Sequence, residues 1–147
     1  MKKILFLLLL SFHFIQSQEK SSPFKAVQSF FEAFHQKDSL GLTQAFYPNA
    51  KMQRAVYKNE KSILLDQDIS IFIKRVANRA DQPSWRESLG TPQIQVSSNM
   101  ATVWFPFRFY LDDKLLHCGV NQFTLFWDGS HWKIIHLIDT SEACVEN

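Results

Sequence analysis

The sequence predicts an α+β domain in which helices come first and antiparallel strands follow. Between residues 22 and 77, three segments repeat apolar residues at the three- and four-residue spacing of amphipathic helices. From residue 84 onward, apolar and polar residues alternate between turn signals, as they do in strands. Helices that precede such strands gather on one face of the sheet. A curved sheet covered in this way encloses a cone, and the open end of the cone is a natural ligand cleft.

The first 17 residues are predicted to form a signal peptide. Lys2 and Lys3 precede an apolar run over residues 4–15, which is too short to span a bilayer. Ser17 is a small residue at a suitable cleavage position, and the alternative is an uncleaved N-terminal membrane anchor. We therefore expect an exported protein, periplasmic or secreted, in which residues 18–147 form a single domain with one core.

The composition argues against several classes of function. The chain has 16 Lys and Arg residues and 14 Asp and Glu residues, and two of the lysines leave with the signal peptide. The remaining chain is about neutral, whereas a nucleic-acid-binding protein needs a basic surface. No later apolar stretch reaches membrane-spanning length. The sequence lacks a P-loop, a dinucleotide-binding glycine motif and the histidine or cysteine spacings of metal sites, so we expect no cofactor and no metal.

Three helices are predicted from their start signals and their apolar spacing. Ser22 and Pro23 start the first helix, because a capping hydroxyl precedes a proline at the first helical position. Asp38 caps a short second helix, and Asp68 caps a third. The apolar faces of the first and third helices consist of Phe24, Val27, Phe30, Phe31 and Phe34, and of Ile69, Phe72, Ile73 and Val76.

The strands are separated by turn signals. The predicted strands are residues 51–57, 62–65, 85–89, 93–97, 101–111, 115–127 and 132–139. The pieces at 85–89 and 93–97 belong to one interrupted strand, and Asp128 with Gly129 forms the last hairpin turn. Pro106 cannot donate a hydrogen bond to a neighbouring strand, so it indicates a bulge or a sheet edge.

The last two strands place polar groups among apolar ones. Alternate residues of a strand share a face, and a short turn at Asp128 predicts pairs whose numbers sum to about 257. Asn121 then pairs directly with His136, and His117 lies on the same face. An apolar face with a few hydrogen-bonding groups is typical of a ligand pocket. The alternatives are a solvated face, or a core face whose histidines bond to the backbone.

Six residues are candidates for ligand binding: His117, Asn121, His136, Trp132, Trp104 and Arg108. Arg108 could pair with an anionic ligand group, and the alternatives are a surface acid or an aromatic ring. No catalytic residue is assigned, because Cys118 and His117 are neighbours and therefore point to opposite faces. A metal site of His117, His136 and Asp139 would require a bulge, since alternation places Asp139 on the other face.

Cys118 and Cys144 are predicted to lie close together. Cys118 lies on the penultimate strand opposite Asp139, and Cys144 follows Asp139 by five residues. Export allows a disulfide between these two cysteines. The alternative is a buried thiol at Cys118 and a free, exposed thiol at Cys144.

Two parts of the sequence resemble a known family. Residues 26–34 (AVQSFFEAF), followed by 37–39, resemble the opening helix and turn of the nuclear-transport-factor-2-like (NTF2-like, or SnoaL-like) superfamily. Residues 117–125 (HCGVNQFTL), Gly129, 132–134 and 139–140 look like its exported bacterial branch named for lumazine binding. The similarity covers about residues 22–144.

The resemblance implies a cone of the NTF2-like or cystatin-like type, with N-terminal helices packed on a strongly curved antiparallel sheet. Superfamily enzymes such as ketosteroid isomerases, polyketide cyclases and scytalone dehydratases use acid or His–Asp pairs inside this cone. Members are often dimeric. Here the sheet is apolar on both faces and one layer of helices covers only one of them, so a homodimer through the sheet is expected.

The favoured function is that of an exported protein that binds a small, partly aromatic molecule in the cone. The first alternative is a small lyase, isomerase or hydrolase with His117 or His136 as general base, because histidine titrates near neutrality. The second alternative is a structural or interaction domain with a filled cone. These functions are distinguished by whether the cone is open and whether His117 and His136 reach into it.

Overall fold

The structure is a computed structural model that describes residues 21–144. The predicted signal peptide and its cleavage site lie outside the described residues. Within residues 21–144, no helix is long and apolar enough to cross a membrane. The described chain runs through two helices, a hairpin, a third helix and then five strands, as the alternating patterns of the sequence predict.

The helices start at the predicted positions, although the hydroxyl of Ser22 makes no capping hydrogen bond. They are α1 (Pro23–Gln36), α2 (Ser39–Ala45) and α3 (Ile69–Ala77). Lys37 ends α1 in the left-handed conformation, with φ at 59°. The carboxylates of Asp38 and Asp68 accept hydrogen bonds from backbone N–H groups in the first turns of α2 and α3, which satisfies donors that have no partner inside the helix.

The strands form one curved, open sheet. They are β1 (Phe46–Lys58), β2 (Lys61–Gln67), β3 (Trp85–Leu89), β4 (Gln93–Ser97), β5 (Met100–Leu111), β6 (Lys114–Trp127) and β7 (Trp132–Ser141). Their order across the sheet is β2-β1-β7-β6-β5-β3, and β4 also pairs with β5. β1 runs parallel to β7, so the sheet is mixed where a wholly antiparallel one was expected. Hairpin signals are local in the sequence, so they do not predict the pairing of β1 with β7, which lie far apart in the chain.

Pro106 lies opposite the interruption between β3 and β4. Both strands pair with β5, one on each side of Pro106. The backbone N–H of Gly90, in the gap, donates to the carbonyl oxygen of Pro106 at 2.8 Å. A proline offers no N–H to a neighbouring strand, so the break falls where the ladder has no donor.

The helices pack on one face of the sheet, which we call the inner face. It carries Phe105, Asn121, Phe123, Leu137 and Asp139, among others. The opposite, outer face carries Trp104, Arg108, Gln122, His136 and Ile138. Aromatic rings of α1 meet the inner face edge-on, with ring centroids 5.6–6.1 Å apart. This packing forms the core.

A bulge in β7 changes the predicted pairing. Leu125 pairs with Ile134, but Thr124 pairs with His136, so Ile135 is an extra residue on β7. The paired numbers sum to 259 before the bulge, where 257 was predicted, and to 260 beyond it. Asn121 therefore pairs with Asp139, and the predicted Asn121–His136 pair is wrong. One inserted residue exchanges the two faces for the rest of the strand, because the side-chain period of a strand is two.

A disulfide joins Cys118 on β6 to Cys144 after β7. The Cα atoms of the two cysteines are 5.0 Å apart, and the bond spans 26 residues of sequence. Cys118 also exchanges two backbone hydrogen bonds with Glu142, each 3.0 Å long. Both interactions hold the segment after β7 against β6.

Candidate functional site

A cavity of 330 Å³ lies between the inner face of the sheet and helices α1 and α3. Most of its wall is aromatic or aliphatic. The apolar side chains include Phe30, Phe31, Phe34, Phe72, Trp85, Phe109, Leu111, Leu116 and Leu137. The polar side chains in the wall are Arg54, Gln67, Arg75, Glu87, His117, Asn121 and Asp139. A mostly apolar cleft or cavity with a few polar groups is the usual form of a small-molecule site.

Arg54 and Asp139 form an ion pair in the cavity wall. They are direct partners on the parallel strands β1 and β7. The Nε atom of Arg54 donates to both carboxylate oxygens, at 2.9 and 3.0 Å, and Nη2 makes a further close contact with Oδ2. Asp139 is only 8% exposed. The hydrogen bonds to Asp139 raise the pKa of Arg54, although burial opposes the shift, so the guanidinium stays charged beside this carboxylate.

Glu87 is the unusual acid of the site. Its carboxyl group is desolvated, which raises its pKa to about 8. The hydrogen bond that Asn121 Nδ2 donates to Glu87 Oε1 and the charge of Arg54 lower this pKa, while the charge of Asp139 raises it. Desolvation is the largest of these effects on the pKa, so Glu87 is mostly a neutral carboxylic acid at pH 7. A neutral acid can donate a hydrogen bond as well as accept one.

His117 borders the same polar cluster. Its ring stacks on Phe109 with centroids 5.0 Å apart and meets the edge of Phe107 at 5.8 Å. Burial lowers the pKa of His117, and the charge of Arg54 lowers it further, against a smaller opposing effect of Asp139. A neutral imidazole offers one donor and one acceptor nitrogen.

Helix α1 fixes the strand that carries Glu87. The backbone N–H of Glu87 donates to Nε2 of His35 at 3.0 Å, so this nitrogen of His35 is unprotonated. Burial lowers the pKa of His35, as do the charges of Arg79 and Arg86. The guanidinium of Arg79 lies 5.0 Å from the rings of both Phe34 and Trp85. These contacts tie β3 to the helices and hold Glu87 in the wall.

The structure brings two of the six predicted ligand-binding residues into the cavity, His117 and Asn121. His136 lies on the outer face because of the bulge in β7, and its Nε2 lies 3.0 Å from Oε1 of Gln53. Trp132 is buried elsewhere, and its Nε1 donates to the carbonyl oxygen of Ser21. A ligand role for His136 and Trp132 stays a prediction, and this cavity does not include them.

Trp104 and Arg108 also lie outside the cavity. Both belong to the outer face of β5, where both are exposed. Alternation along β5 requires this, because the odd-numbered residues Phe105, Phe107 and Phe109 turn inward. Ligand binding by Trp104 or Arg108 would need a separate site on the outer face, and it stays a prediction.

Four acidic or basic residues of the cavity wall were not predicted to line it: Arg54, Arg75, Glu87 and Asp139. Asp139 was assigned to the other face, and the bulge moves it inward. A signal for Glu87 was present, since Glu87 shares strand parity with Trp85 and Leu89 and should follow them inward. Arg54 likewise shares parity with the buried Met52.

Among residues 21–144, no group of three or more His, Cys, Asp or Glu side chains could hold a metal ion.

No family model matches this chain, and no curated protein matches it. Solved structures do match in fold. An NTF2-like protein of unknown function from Shewanella baltica has a TM-score of 0.61 at 15% identity and covers 83% of this chain and 92% of its own. A protein from Shewanella frigidimarina, described as a proposed ketosteroid isomerase, has a TM-score of 0.60 at 14% identity, with 81% and 94% covered.

A third structure is a proposed dehydratase of the NTF2-like family from Streptomyces avermitilis. Its TM-score is 0.58 at 13% identity, and the match covers 82% of this chain and 93% of that one. At such low sequence identity, the TM-scores establish similarity of fold alone. The chain therefore has the NTF2-like α+β fold, with helices on a curved sheet, as the resemblance of its sequence implies.

Proposed function

We propose that this protein binds a small, partly aromatic molecule in the cavity between the helices and the sheet, after export from the cytoplasm. The observation that carries the proposal is a cavity that combines aromatic walls with a compact polar cluster. A structural domain would gain stability by filling this space with side chains. Instead the space stays open, and Glu87, Asn121 and His117 border it.

The composition of the cluster supports an interaction directed at a ligand. Arg54 and Asp139 compensate each other, and Glu87 is mostly neutral at pH 7, so this end of the cavity has little net charge. Its hydrogen-bonding groups can therefore orient a polar substituent while the aromatic rings contact the body of the molecule. The disulfide between Cys118 and Cys144 supports export, because such bonds persist in oxidising compartments.

A thermal-shift screen of small aromatic compounds tests the proposal. Hits should raise the melting temperature of the wild-type protein, because a ligand that binds only the folded state stabilises it. Asn121→Ala should reduce these shifts, since Asn121 borders the cavity. The matched control is Gln122→Ala, the next residue on β6, which is exposed on the outer face. If the hits stabilise both variants as well as the wild type, they bind elsewhere and the proposal fails.

A second candidate function is acid–base catalysis, as in an isomerase or lyase. The pKa of Glu87, raised to about 8 by desolvation, favours it, since a group that titrates near the working pH exchanges protons efficiently. Two neighbours by fold are described as a proposed ketosteroid isomerase and a proposed dehydratase. In this proposal the base is Glu87 rather than a histidine. Ionised Glu87 accepts a proton from a ligand carbon and later returns it.

Hydrogen–deuterium exchange tests the catalytic candidate. Each screening hit is incubated with protein in deuterium oxide, and deuterium at carbon is measured by NMR. Glu87→Gln should slow exchange by about a hundredfold or more, the usual contribution of a positioned acid or base. Binding should persist in this variant, because glutamine retains the shape of the side chain. Exchange at the wild-type rate in Glu87→Gln would exclude Glu87 as the base.

A further inference from the structure

The openings of the cavity differ in charge from its interior. Both acids inside the cavity have partners there. Asp139 pairs with Arg54, and Glu87 accepts a hydrogen bond from Asn121. Arg75 also lines the cavity, but it is an exposed residue on α3. Among residues 21–144, no hydrogen bond or ion pair engages its guanidinium. Arg75 therefore gives the mouth of the cavity an unbalanced positive charge.

Gln67 supplies a second donor without a partner. It lies at the end of β2, directly opposite Met52 on β1, and both residues line the cavity and an adjoining open groove. Gln67 thus lies at the edge of the cavity, where the cavity meets this groove. Its Nε2 atom is buried and has no hydrogen-bond partner among the described residues. Burying an amide donor without a partner is unfavourable, and an acceptor on a ligand would remove that cost.

Nearby acids do not satisfy these two donors. The carboxylate of Asp66, next to Gln67, accepts a hydrogen bond from Gln53. The carboxylate of Asp68 caps α3 through Ser70 and Ile71. Neither acid lines the cavity. Within residues 21–144, therefore, neither acid occupies these two donors, and both remain available to an acceptor on a ligand.

We propose that the ligand is an organic carboxylate, whose ring-containing body occupies the aromatic cavity and whose carboxylate lies at the mouth, bound by Arg75 and Gln67. The inference rests on the proposed binding function and names the chemical class of the ligand. A carboxylate accepts charge-assisted hydrogen bonds from a guanidinium, and these are stronger than bonds between neutral groups. The nearly neutral inner cluster then binds an uncharged end of the same molecule. Arg75 and Gln67 thereby determine specificity at the mouth.

Two matched probes test the inference. They are 2-naphthoate, which is ionised at pH 7, and 2-naphthamide, which has the same rings and a neutral amide. Isothermal titration calorimetry should give about tenfold tighter binding of naphthoate by the wild-type protein, from a charge-assisted contact partly screened by water. Raising the salt concentration should weaken the binding of naphthoate but not of naphthamide, because Arg75 is exposed.

Variants of Arg75 and Gln67 test which residues cause the preference for naphthoate over naphthamide. Arg75→Gln should bring the naphthoate-to-naphthamide affinity ratio close to one, whereas Arg75→Lys, which keeps the charge, should retain part of it. Gln67→Leu should weaken the binding of naphthoate more than that of naphthamide. The control is Lys58→Gln, which removes a positive charge from the exposed end of β1 and should leave the ratio unchanged. If Arg75 only stabilises the end of α3, Arg75→Gln will lower the melting temperature and leave the ratio intact.

The outcomes separate this inference from the proposed function. Equal affinities of the wild-type protein for both probes would overturn the carboxylate inference and leave small-molecule binding standing. A naphthoate preference that survives in Arg75→Gln would overturn the role of Arg75. Binding of neither probe would also overturn the inference, whereas the proposed function is decided by the thermal-shift screen with Asn121→Ala.

Discussion

The inner and outer faces of the sheet are built from the same strands and have opposite physical character. On β6, Asn121 and Phe123 are buried beneath the helices, whereas Gln122, between them, is exposed. The inner face therefore provides a desolvated environment that shifts the pKa of Glu87 and strengthens the Arg54–Asp139 pair. The comparison teaches that the face on which a strand places a side chain decides whether that side chain can take part in the cavity.

The largest difference is expected from two phenylalanines of β6. Phe123 is fully buried on the inner face, and Phe126 is half-buried on the outer face against Tyr47. Phe123→Ala should lower the free energy of unfolding by about 3–5 kcal/mol, because it removes core contacts and leaves a cavity. Phe126→Ala should cost about 1 kcal/mol. Urea denaturation measures both values, and similar losses would contradict the assignment of the two faces.

The next effect concerns Glu87 and depends on pH. Below pH 4.5 its carboxyl group is protonated in both states, and between pH 4.5 and about 8 only the unfolded chain releases the proton. Glu87 therefore lowers the free energy of unfolding progressively across this window, and the loss is complete above it. Glu87→Gln should be more stable than the wild type by on the order of a few kcal/mol at pH 9, and about equally stable at pH 4.

Urea denaturation at several pH values checks this prediction. The control is Glu60→Gln in the exposed turn between β1 and β2, which should follow the wild-type pH dependence. A stability difference between Glu87→Gln and the wild type that does not change between pH 4 and 9 would contradict desolvation as the dominant influence on Glu87.

A smaller effect tests the bulge in β7. Asp139→Asn should lower the free energy of unfolding by about 2 kcal/mol, since it leaves Arg54 without a charged partner. The loss is moderate because the Arg54 side chain is 36% exposed and can reach water. His136→Asn on the outer face should cost about 0.5 kcal/mol. The register without a bulge requires the reverse order, so chemical denaturation of both variants distinguishes the two registers.

The smallest effect on stability is expected at the outer face, where we propose that two copies of the protein dimerise. The three helices of residues 21–144 leave this face uncovered, and Trp104 is 37% exposed on it. Trp104→Glu should shift the protein from dimer to monomer in sedimentation velocity, because a charge in an apolar interface is left without compensation. Leu116→Glu, at the cavity, should leave the dimer intact. A wild-type protein that sediments as a monomer would remove the proposal.

Much of the fold could be predicted from local sequence. Asp38 and Asp68 cap helices in the structure as predicted, and the phenylalanines of α1 form the predicted apolar face. His117 and Asn121 were assigned to one face and do lie together in the cavity wall. Each of these features depends on residues a few positions apart, whose spacing is visible in the chain.

The rest of the candidate site could not be predicted in the same way. The position of Asp139 depends on the bulge at Ile135, and no turn residue in the sequence of β7 indicates that bulge. Arg54 reaches Asp139 because β1 lies parallel to β7, 85 residues away in sequence. Glu87 was visible through its parity, but its altered acidity depends on what packs around it.

The sequence by itself determined the order of helices and strands, the helix caps and the aromatic character of the inner face, because these follow from short-range spacing and backbone preference. Only the tertiary structure decided the register of β7, the parallel pairing of β1 and the meeting of Arg54, Glu87, Asn121 and Asp139. The physical reason is that desolvation and charge pairing depend on distances in space, and one extra residue in a strand reassigns every side chain beyond it.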